Sequence, residues 1–336
     1  MRPMFDVAKR ASAKVMQRLV FAEGDHPYVL QCAQQLVAEK IARPILVGRQ
    51  ATITRMLPHL GLRMRHETDF DVFDPEADPR MAAMAEEYHR LVERRGVSPS
   101  HAQRVVRNGS TVAAGLLLRR GDADAMICGA VGRYLTHLRH VSEVVGKEGG
   151  ARGFAALSAM ILPTGPLFIA DTYVSYDPSA EQLAEITLLA AEEVRRFGLE
   201  PKVALLSHSN FGNEDTPSAV KMREVLSLLN VWQPSLEVDG EMHADAALSP
   251  FIREEIFPNS RLKGAANLLI APGLDAANIA FNLLKVVSGS VAVGPILLGA
   301  AKPVHIVTPS VTVRGLLNMA AIAIVNAVRN AESRSG

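Results

Sequence analysis

Short apolar runs alternate along the chain with longer stretches whose apolar positions recur every three to four residues. "RLVFAEG" (18–24) reads as a strand and its loop, "YVLQCAQQLVAEK" (28–40) as an amphipathic helix and "RPILVGR" (43–49) as a second strand. Together they form a βαβ unit, whose crossover is expected to be right-handed. "DAMICGAV" (124–131), "KVALLSHS" (202–209), "ANLLIAPG" (266–273) and "KPVHIVT" (302–308) repeat the strand-then-loop theme. "SAEQLAEITLLAAEEVRRFG" (179–198) has every mark of a helix: a Ser179 cap, acids early, Arg195 and Arg196 late, and a stop at Gly198. Strands that are apolar throughout and alternate with helices imply an α/β fold with mostly parallel sheets covered on both faces. "AALSAMILPTGPLFIADTY" (155–173) breaks the rule, because a Pro-Thr-Gly turn between apolar runs predicts an antiparallel hairpin.

Composition changes little in this picture. Hydrophobic residues make up 48% and charged residues 21% of 336, and the formal net charge is +1. That balance gives no reason to expect a nucleic-acid or anionic-membrane partner. Cys32 and Cys128 are isolated within apolar patterns, which reads as two buried thiols. No apolar run is long enough to span a bilayer and no signal-peptide core opens the chain, so a cytoplasmic protein is expected. The Arg pairs 94–95 and 119–120 stand just before Gly96 and Gly121 and read as solvated helix ends.

Candidate chemistry sits where strands run out. "LLSHSNFGNEDTPSAVKMREVL" (205–226) leaves a strand into a polar loop, with a helix starting near Thr216 and Pro217. Ser207 and His208 are adjacent on extended chain and point apart, so they cannot act as a nucleophile–base pair. Ser207 and Asn210 are candidate ligand contacts, although a plain connection fits the stretch as well. In "EVDGEMHADAAL" (237–248), Asp239, Glu241, His243 and Asp245 share one face if the segment is extended. An oxygen-rich metal site and a hydrogen-bonded polar network both follow from that spacing, and the network is preferred; no metal is expected. In "PNSRLKGAANLLIAPGLDAANIAFNLLK" (258–285), Asp275 is placed to cap a helix carrying Asn278, and Gly294-Pro295 reads as a further loop exposing backbone. Neither a GxGxxG nor a GxxxxGK[ST] pattern follows a strand, so no nucleotide site is inferred. "CGAVGRYLTHLRHV" (128–141) brings Arg133, His137, Arg139 and His140 past a strand; the arginines suit phosphate or carboxylate, and a polar helix face explains the same residues. Finally, "AAKPVHIVTPSVTVRGLLN" (301–319) ends a strand in Thr308-Pro309-Ser310, with Lys302 ahead of it.

At these residues the chain resembles a known family. "FAEGD", "GDADAMICGAV", "ADTYV", "LLSHSNFG", "VDGEMHADAAL", "PNSRLKGAANLL", "LDAANIAFNLLK" and "GPILLGAAKPVHIVTPSVTVRG" resemble the phosphate acetyl/butaryl transferases. More narrowly they resemble the C-terminal phosphotransacetylase-like domain of bacterial NADP-dependent malic enzymes. The resemblance implies a two-lobed α/β/α fold of the isocitrate/isopropylmalate dehydrogenase-like type, with a cleft between the lobes. Residues 1–145 plus 296–336 would form one lobe and 146–295 the other. It also implies a homodimer.

Active members of the family join coenzyme A to the acetyl group of acetyl phosphate. Their last loop supplies a serine followed directly by an arginine, and an aspartate six residues after that arginine. Anchored on Lys302-Pro303 and Asn318, these positions fall on Thr308, Pro309 and Gly315. A further family arginine matches Arg139, and another falls on Val92. Losing one oxyanion donor costs about 10²–10³ in rate, and losing the base about 10²–10⁴ more. Ser310 and Arg314 would substitute in part only with the loop re-registered. No catalytic residue is therefore expected. The ligand contacts expected are Arg133, Arg139, Ser207, Asn210, Asn278, Gly294, Pro295, Lys302, Thr308 and Ser310. The resemblance implies acetyl-CoA or a related acyl-CoA as effector and an N-terminal malic-enzyme module that carries the NADP and divalent-metal sites. No cofactor is expected in this chain. The other reading is a working acyltransferase acting on acyl phosphate.

Overall fold

The computed structural model describes residues 2–335. The chain divides into two compact units, 1–149 with 300–336, and 150–299.

The first unit opens with α1 (Arg2–Lys14), β1 (Arg18–Phe21), α2 (Pro27–Ala38), β2 (Arg43–Val47), α3 (Gln50–His59) and β3 (Asp71–Phe73). It continues through α4 (Met81–Val92), a 3-10 turn at Glu93–Arg95, α5 (Pro99–Asn108), α6 (Ser110–Arg120), β4 (Ala125–Cys128) and α7 (Tyr134–Val144). After the second unit the chain returns as β11 (Val304–Ile306) and α13 (Val313–Ser335). The five strands lie in the order β11-β4-β1-β2-β3 and every pair is parallel. β1 and β4 are buried along nearly their whole length, which is why their sequences are apolar runs and not alternations. α13 packs against α1, α2 and β4, while α6 lies against β1, β2, β4 and α7. Thr111 through Leu118 of α6 are all buried, so this helix is a core element and its sequence lacks a polar face.

The second unit contains β5 (Ala155–Leu162), β6 (Gly165–Ala170), α8 (Ala180–Arg196), β7 (Lys202–Leu206), α9 (Pro217–Trp232) and β8 (Glu237–Met242). α10 (Ala244–Leu248), α11 (Pro250–Ile256), β9 (Leu268–Ile270), α12 (Leu274–Val287) and β10 (Val291–Leu298) complete it. Its sheet has the order β10-β5-β6-β9-β7-β8. The β5–β6 hairpin and the β10–β5 pair are antiparallel, and β6, β9, β7 and β8 run parallel. The hairpin turns at Pro163-Thr164, as the sequence predicts. Ser179 and Gln182 exchange side-chain and backbone bonds as a capping box at the start of α8. Residues 296–299 belong to this unit because they complete and follow β10, and 146–149 belong to the first, where Lys147 bridges to Ala300.

Three local expectations are corrected. Gly294-Pro295 is not a loop: it lies inside β10, where the register slips between Val293 and Ile296. β10 is an edge strand, and a bulge on an edge is where a sheet tolerates proline. Asp275 does not cap α12; the cap is Gly273, and Asp275 occupies the first turn. The alternation through Asp239, Glu241, His243 and Asp245 stops at Met242, because β8 ends there and α10 begins at Ala244.

Gly129, directly after β4, has φ +99°, and a Cβ there would stand 2.3 Å from the Val307 carbonyl oxygen. Gly96 has φ +79° with open space around the same position. Gly96→Ala should cost about 1–2 kcal/mol, the left-handed penalty alone. Gly129→Ala should cost at least about 3 kcal/mol, because displacement of β11 adds to that penalty. Urea unfolding of both variants checks this; equal losses would show that the close approach of β4 and β11 is unimportant.

Candidate functional site

In the first unit the chain passes from β1 to β2 on one side of the sheet, and β4 pairs with β11 on the other. The carboxyl ends of β1 and β4 are therefore a topological switch point, where open α/β sheets bind ligands. β1 delivers Glu23 to this point and β4 delivers the glycine-rich turn 129–132. Glu23 is buried, and its two carboxylate oxygens accept the Gly129 N–H at 3.1 Å each; one also accepts from Ala130 at 3.4 Å. Burial pushes the Glu23 carboxyl up to about 7 even though these N–H donors favour its charged form.

His137 on α7 lies beside it. Its Nε2 is 2.7 Å from the Val131 carbonyl, which can only accept, so Nε2 carries the proton. Nδ1 then accepts from the Thr111 hydroxyl at 2.7 Å. Burial lowers the His137 pKa and keeps the ring neutral, so its 3.8 Å approach to Glu23 is not an ion pair at neutral pH. His137 therefore buttresses the turn and is not part of a polar ligand-facing stripe. Arg133, the residue preceding α7, is exposed, and Arg139 is on the same helix with its side chain 67% exposed.

Thr308 follows β11, the neighbour of β4, on this same sheet edge. Val311 N–H bonds the Thr308 carbonyl at 2.9 Å, which closes a turn over Thr308-Pro309-Ser310-Val311 with proline at its second position. Within it the Thr308 and Ser310 hydroxyls bond each other at 3.0 Å. Thr312 caps α13 by accepting the Gly315 N–H at 3.0 Å, so Gly315 stands in the first helical turn. Lys302 precedes β11 and so stands at the opposite end of the strand from Thr308. Its ammonium bonds the Leu118 and Arg119 carbonyls at 2.9 and 3.1 Å, in the last turn of α6. It serves as a helix cap and does not join Arg133, Arg139, Thr308 and Ser310.

The second unit gathers Ser207, Asn210 and Asn278 near the carboxyl ends of β6, β7, β8 and β9. Ser207 Oγ accepts from Ser209 N–H, Asn210 Oδ1 accepts from His243 N–H, and Asn278 donates to the Thr172 carbonyl at 3.0 Å. All three hold loops in place. Two carboxylates organise those loops. Asp171 accepts four backbone N–H groups, from Ala156, Tyr173, Val174 and Ser175. Glu241, fully buried, accepts from the Ser209 hydroxyl at 2.6 Å, Gly212 N–H at 2.9 Å and the Arg223 guanidinium at 2.9 Å. Burial opposes its ionisation, but those donors prevail and hold its pKa below the usual value. Asp239 faces a separate network, accepting from the Ser260 hydroxyl and Arg261 N–H. Among the described residues no group of three or more His, Cys, Asp or Glu side chains is arranged to hold a metal ion.

Sequence reasoning missed Glu23 and Thr111. Glu23 left a signal, an acid two residues after an apolar strand in "FAEG". Thr111 depends on a contact between helices, which no local spacing reveals.

The sequence profile of the phosphate acetyl/butaryl transferase family matches residues 3–324. The chain is 50% identical over 325 residues to the NAD-dependent malic enzyme of Rhizobium meliloti, covering 97% of this chain and 42% of that protein. With the NADP-dependent malic enzyme of Escherichia coli the identity is 48% over 328 residues, again 97% of this chain but 43% of the relative. The chain thus spans less than half the length of these two relatives. The phosphate acetyltransferase of Paracoccus denitrificans is 33% identical over 330 residues, 96% of this chain and 98% of its own length. A phosphotransacetylase structure from Streptococcus pyogenes superposes with a TM-score of 0.88 at 26% identity, covering 99% of both chains.

Glu23 gives this site a pH signature. Its folded pKa stands above the unfolded value, so its contribution is greatest below about 4.5 and is lost as pH rises through about 7. Relative to the parent chain, Glu23→Gln should gain about 3 kcal/mol of stability between pH 4 and pH 8. Chemical unfolding across that range measures it; a pH-independent difference would mean that the carboxyl ionises in the folded state as it does in water.

Proposed function

The chain belongs to the phosphate acetyl/butaryl transferase family, and from that premise we propose that it is an acyl-CoA-binding regulatory module of a malic enzyme with almost no acyl transfer of its own. The observation that carries this reading is the closed turn at Thr308-Pro309-Ser310. Acyl transfer from acyl phosphate needs a base for the thiol and donors for the carbonyl oxygen and phosphate. Pro309 has neither a side-chain donor nor an N–H. Gly315 brings no carboxylate to the first turn of α13. Thr308 retains a hydroxyl, but that hydroxyl is engaged with Ser310. The switch point keeps its frame, with Arg133 and Arg139 exposed beside it, which supports retained binding of an anionic ligand.

In this reading the parent protein oxidatively decarboxylates malate, and its nicotinamide and divalent-metal chemistry belong to a preceding malic module. The high identity to malic enzymes, confined to less than half their length, supports that arrangement. An acyl-CoA that favours one arrangement of the assembled protein would change malate turnover through differential affinity. A cytoplasmic location goes with this chemistry. Among the described residues no helix is long and apolar enough to cross a membrane.

A homodimer is also part of the reading. Ile279, Leu283, Val286 and Val287 make a stripe on α12, each more than 60% exposed. A second copy of this chain is the occupant we assign to it. Leu283→Asp should convert a dimer to a monomer in sedimentation velocity; an unchanged sedimentation coefficient would remove α12 from the interface.

The working acyltransferase is the second reading, in line with 33% identity over nearly the full length of the Paracoccus denitrificans phosphate acetyltransferase. Incubation with acetyl phosphate and coenzyme A, followed by thioester absorbance, separates the two. Loss of both oxyanion donor and base predicts turnover reduced by about 10⁴ or more relative to an active family member. Turnover within tenfold of such an enzyme would establish the second reading and overturn the first.

A further inference from the structure

A cavity of about 530 Å³ lies in the first unit, at the end of the sheet away from the switch point. Met16, Ala123 and Pro303 line it, and they precede β1, β4 and β11, which are neighbours in the sheet. Glu23 and Thr308 stand at the carboxyl ends of these strands, so the cavity and the switch point are separate places. The last turn of α6 and the C-terminal half of α13 supply its other walls. Its volume is within the range of small-molecule sites.

Small side chains leave this space open. Ala123, Ala327 and Ala331 line it with a single methyl group each. Leu118, Ala123 and Ala327 are buried and give it an apolar floor. Val15 and Met16 line the same space, yet they are 69% and 45% exposed. An aliphatic body lying here would remove both faces from water.

The charged groups select the head of the ligand. Arg18, Asp124 and Lys302 line the cavity, two cations and one anion. Asp124 is already occupied by Arg18. Its Oδ2 accepts the Arg18 backbone N–H at 2.8 Å and Nε–H at 3.2 Å, and its Oδ1 accepts from Nη2 at 2.8 Å. Nη2 also donates to the Gly121 carbonyl at 2.8 Å. A guanidinium has five N–H groups, and these bonds use three of them. The two on Arg18 Nη1 have no partner among the described residues. The Lys302 ammonium is fixed at the wall by the Leu118 and Arg119 carbonyls. A cationic ligand would therefore meet two like charges and an acid with three donors in place. An anion meets unused donors and a positive excess of one charge, which suits a carboxylate better than a doubly charged phosphate.

We propose that this cavity binds an aliphatic monocarboxylate of medium chain length. Its methylene groups lie on Leu118, Ala123 and Ala327, and its carboxylate is received by Arg18 and Lys302. The site does not depend on the acyl-CoA reading.

Calorimetric titrations of the full chain with hexanoate, octanoate, octanol and octylamine, at constant ionic strength, test this. Octanoate should bind saturably, and about 15-fold more tightly than hexanoate, because each added methylene group is worth about fourfold when buried. Octylamine should bind at least tenfold more weakly than octanoate. Ala331→Trp, at an exposed position, fills the cavity and should weaken octanoate at least tenfold. Arg18→Gln should weaken octanoate about tenfold while octanol changes less than twofold, a split that general loosening of the fold would not give. Lys302→Met serves in its place should Arg18→Gln fail to fold by circular dichroism. Leu283→Asp, on the apolar stripe of α12, should leave octanoate binding unchanged. The proposal is overturned by absence of saturable octanoate heat, by equal binding of octylamine, or by an Ala331→Trp variant that binds as the parent does. Loss of octanoate binding in Leu283→Asp would move the ligand to α12 and overturn it too. A lower sedimentation coefficient for Ala331→Trp would make the cavity a contact between copies, with the same consequence.

Discussion

The meeting of β1, β4 and β11 at Gly129 is the constraint on which the first unit's chemistry depends. Gly129 N–H is held by a buried carboxylate from the end of β1, while its α-carbon lies against the Val307 carbonyl of the β11 segment. Val307 N–H in turn bonds Cys128 O at 2.8 Å. A side chain at position 129 would force these segments apart, so glycine there is a packing requirement as well as a conformational one. Everything proposed for the unit inherits this geometry. The turn at Thr308 starts one residue beyond Val307, and α7, with Arg133 before it and Arg139 on it, starts five residues beyond Gly129. Glu23 holds the junction from beneath at an electrostatic cost that declines as the carboxyl becomes protonated.

A frame of this kind and the chemistry performed on it are separable. Close backbone approach, buried carboxylates that order loops, and exposed guanidiniums require only a correct fold. Acyl transfer requires in addition a base and an electrophilic donor at defined positions, and these reside in very few side chains. In the proposed reading, proline at 309 and glycine at 315 remove both without disturbing the turn or the cap of α13. Thr308 O still closes the turn and Thr312 still caps the helix. In the proposed reading, the chain has kept what ligand recognition needs.

Much of the architecture was legible because apolar runs, caps and glycines act locally. The βαβ start, the hairpin at Pro163-Thr164, the capping box at Ser179 and the helix ends at Gly96 and Gly121 all follow from residues within a few positions of each other. Gly294-Pro295 misled because proline and glycine announce a break in regular structure without saying whether it is a loop or a bulge on an edge strand. Lys302 misled because a cation beside a loop motif carries no sign of which end of the strand it occupies. Its partners, the carbonyls at the end of α6, lie more than 180 residues away in sequence. The bond between the Thr111 hydroxyl and His137 was hidden for the same reason, since it joins α6 to α7 across 26 positions. Long-range polar contacts, more than secondary structure, were what the chain did not disclose in advance.

The central claim is that binding has outlived catalysis in this chain, and its most direct test is a calorimetric titration with acetyl-CoA. The account predicts saturable one-site heat with a dissociation constant below about 1 mM, equivalent to about −4 kcal/mol or better. No saturable heat at several times that concentration would contradict it.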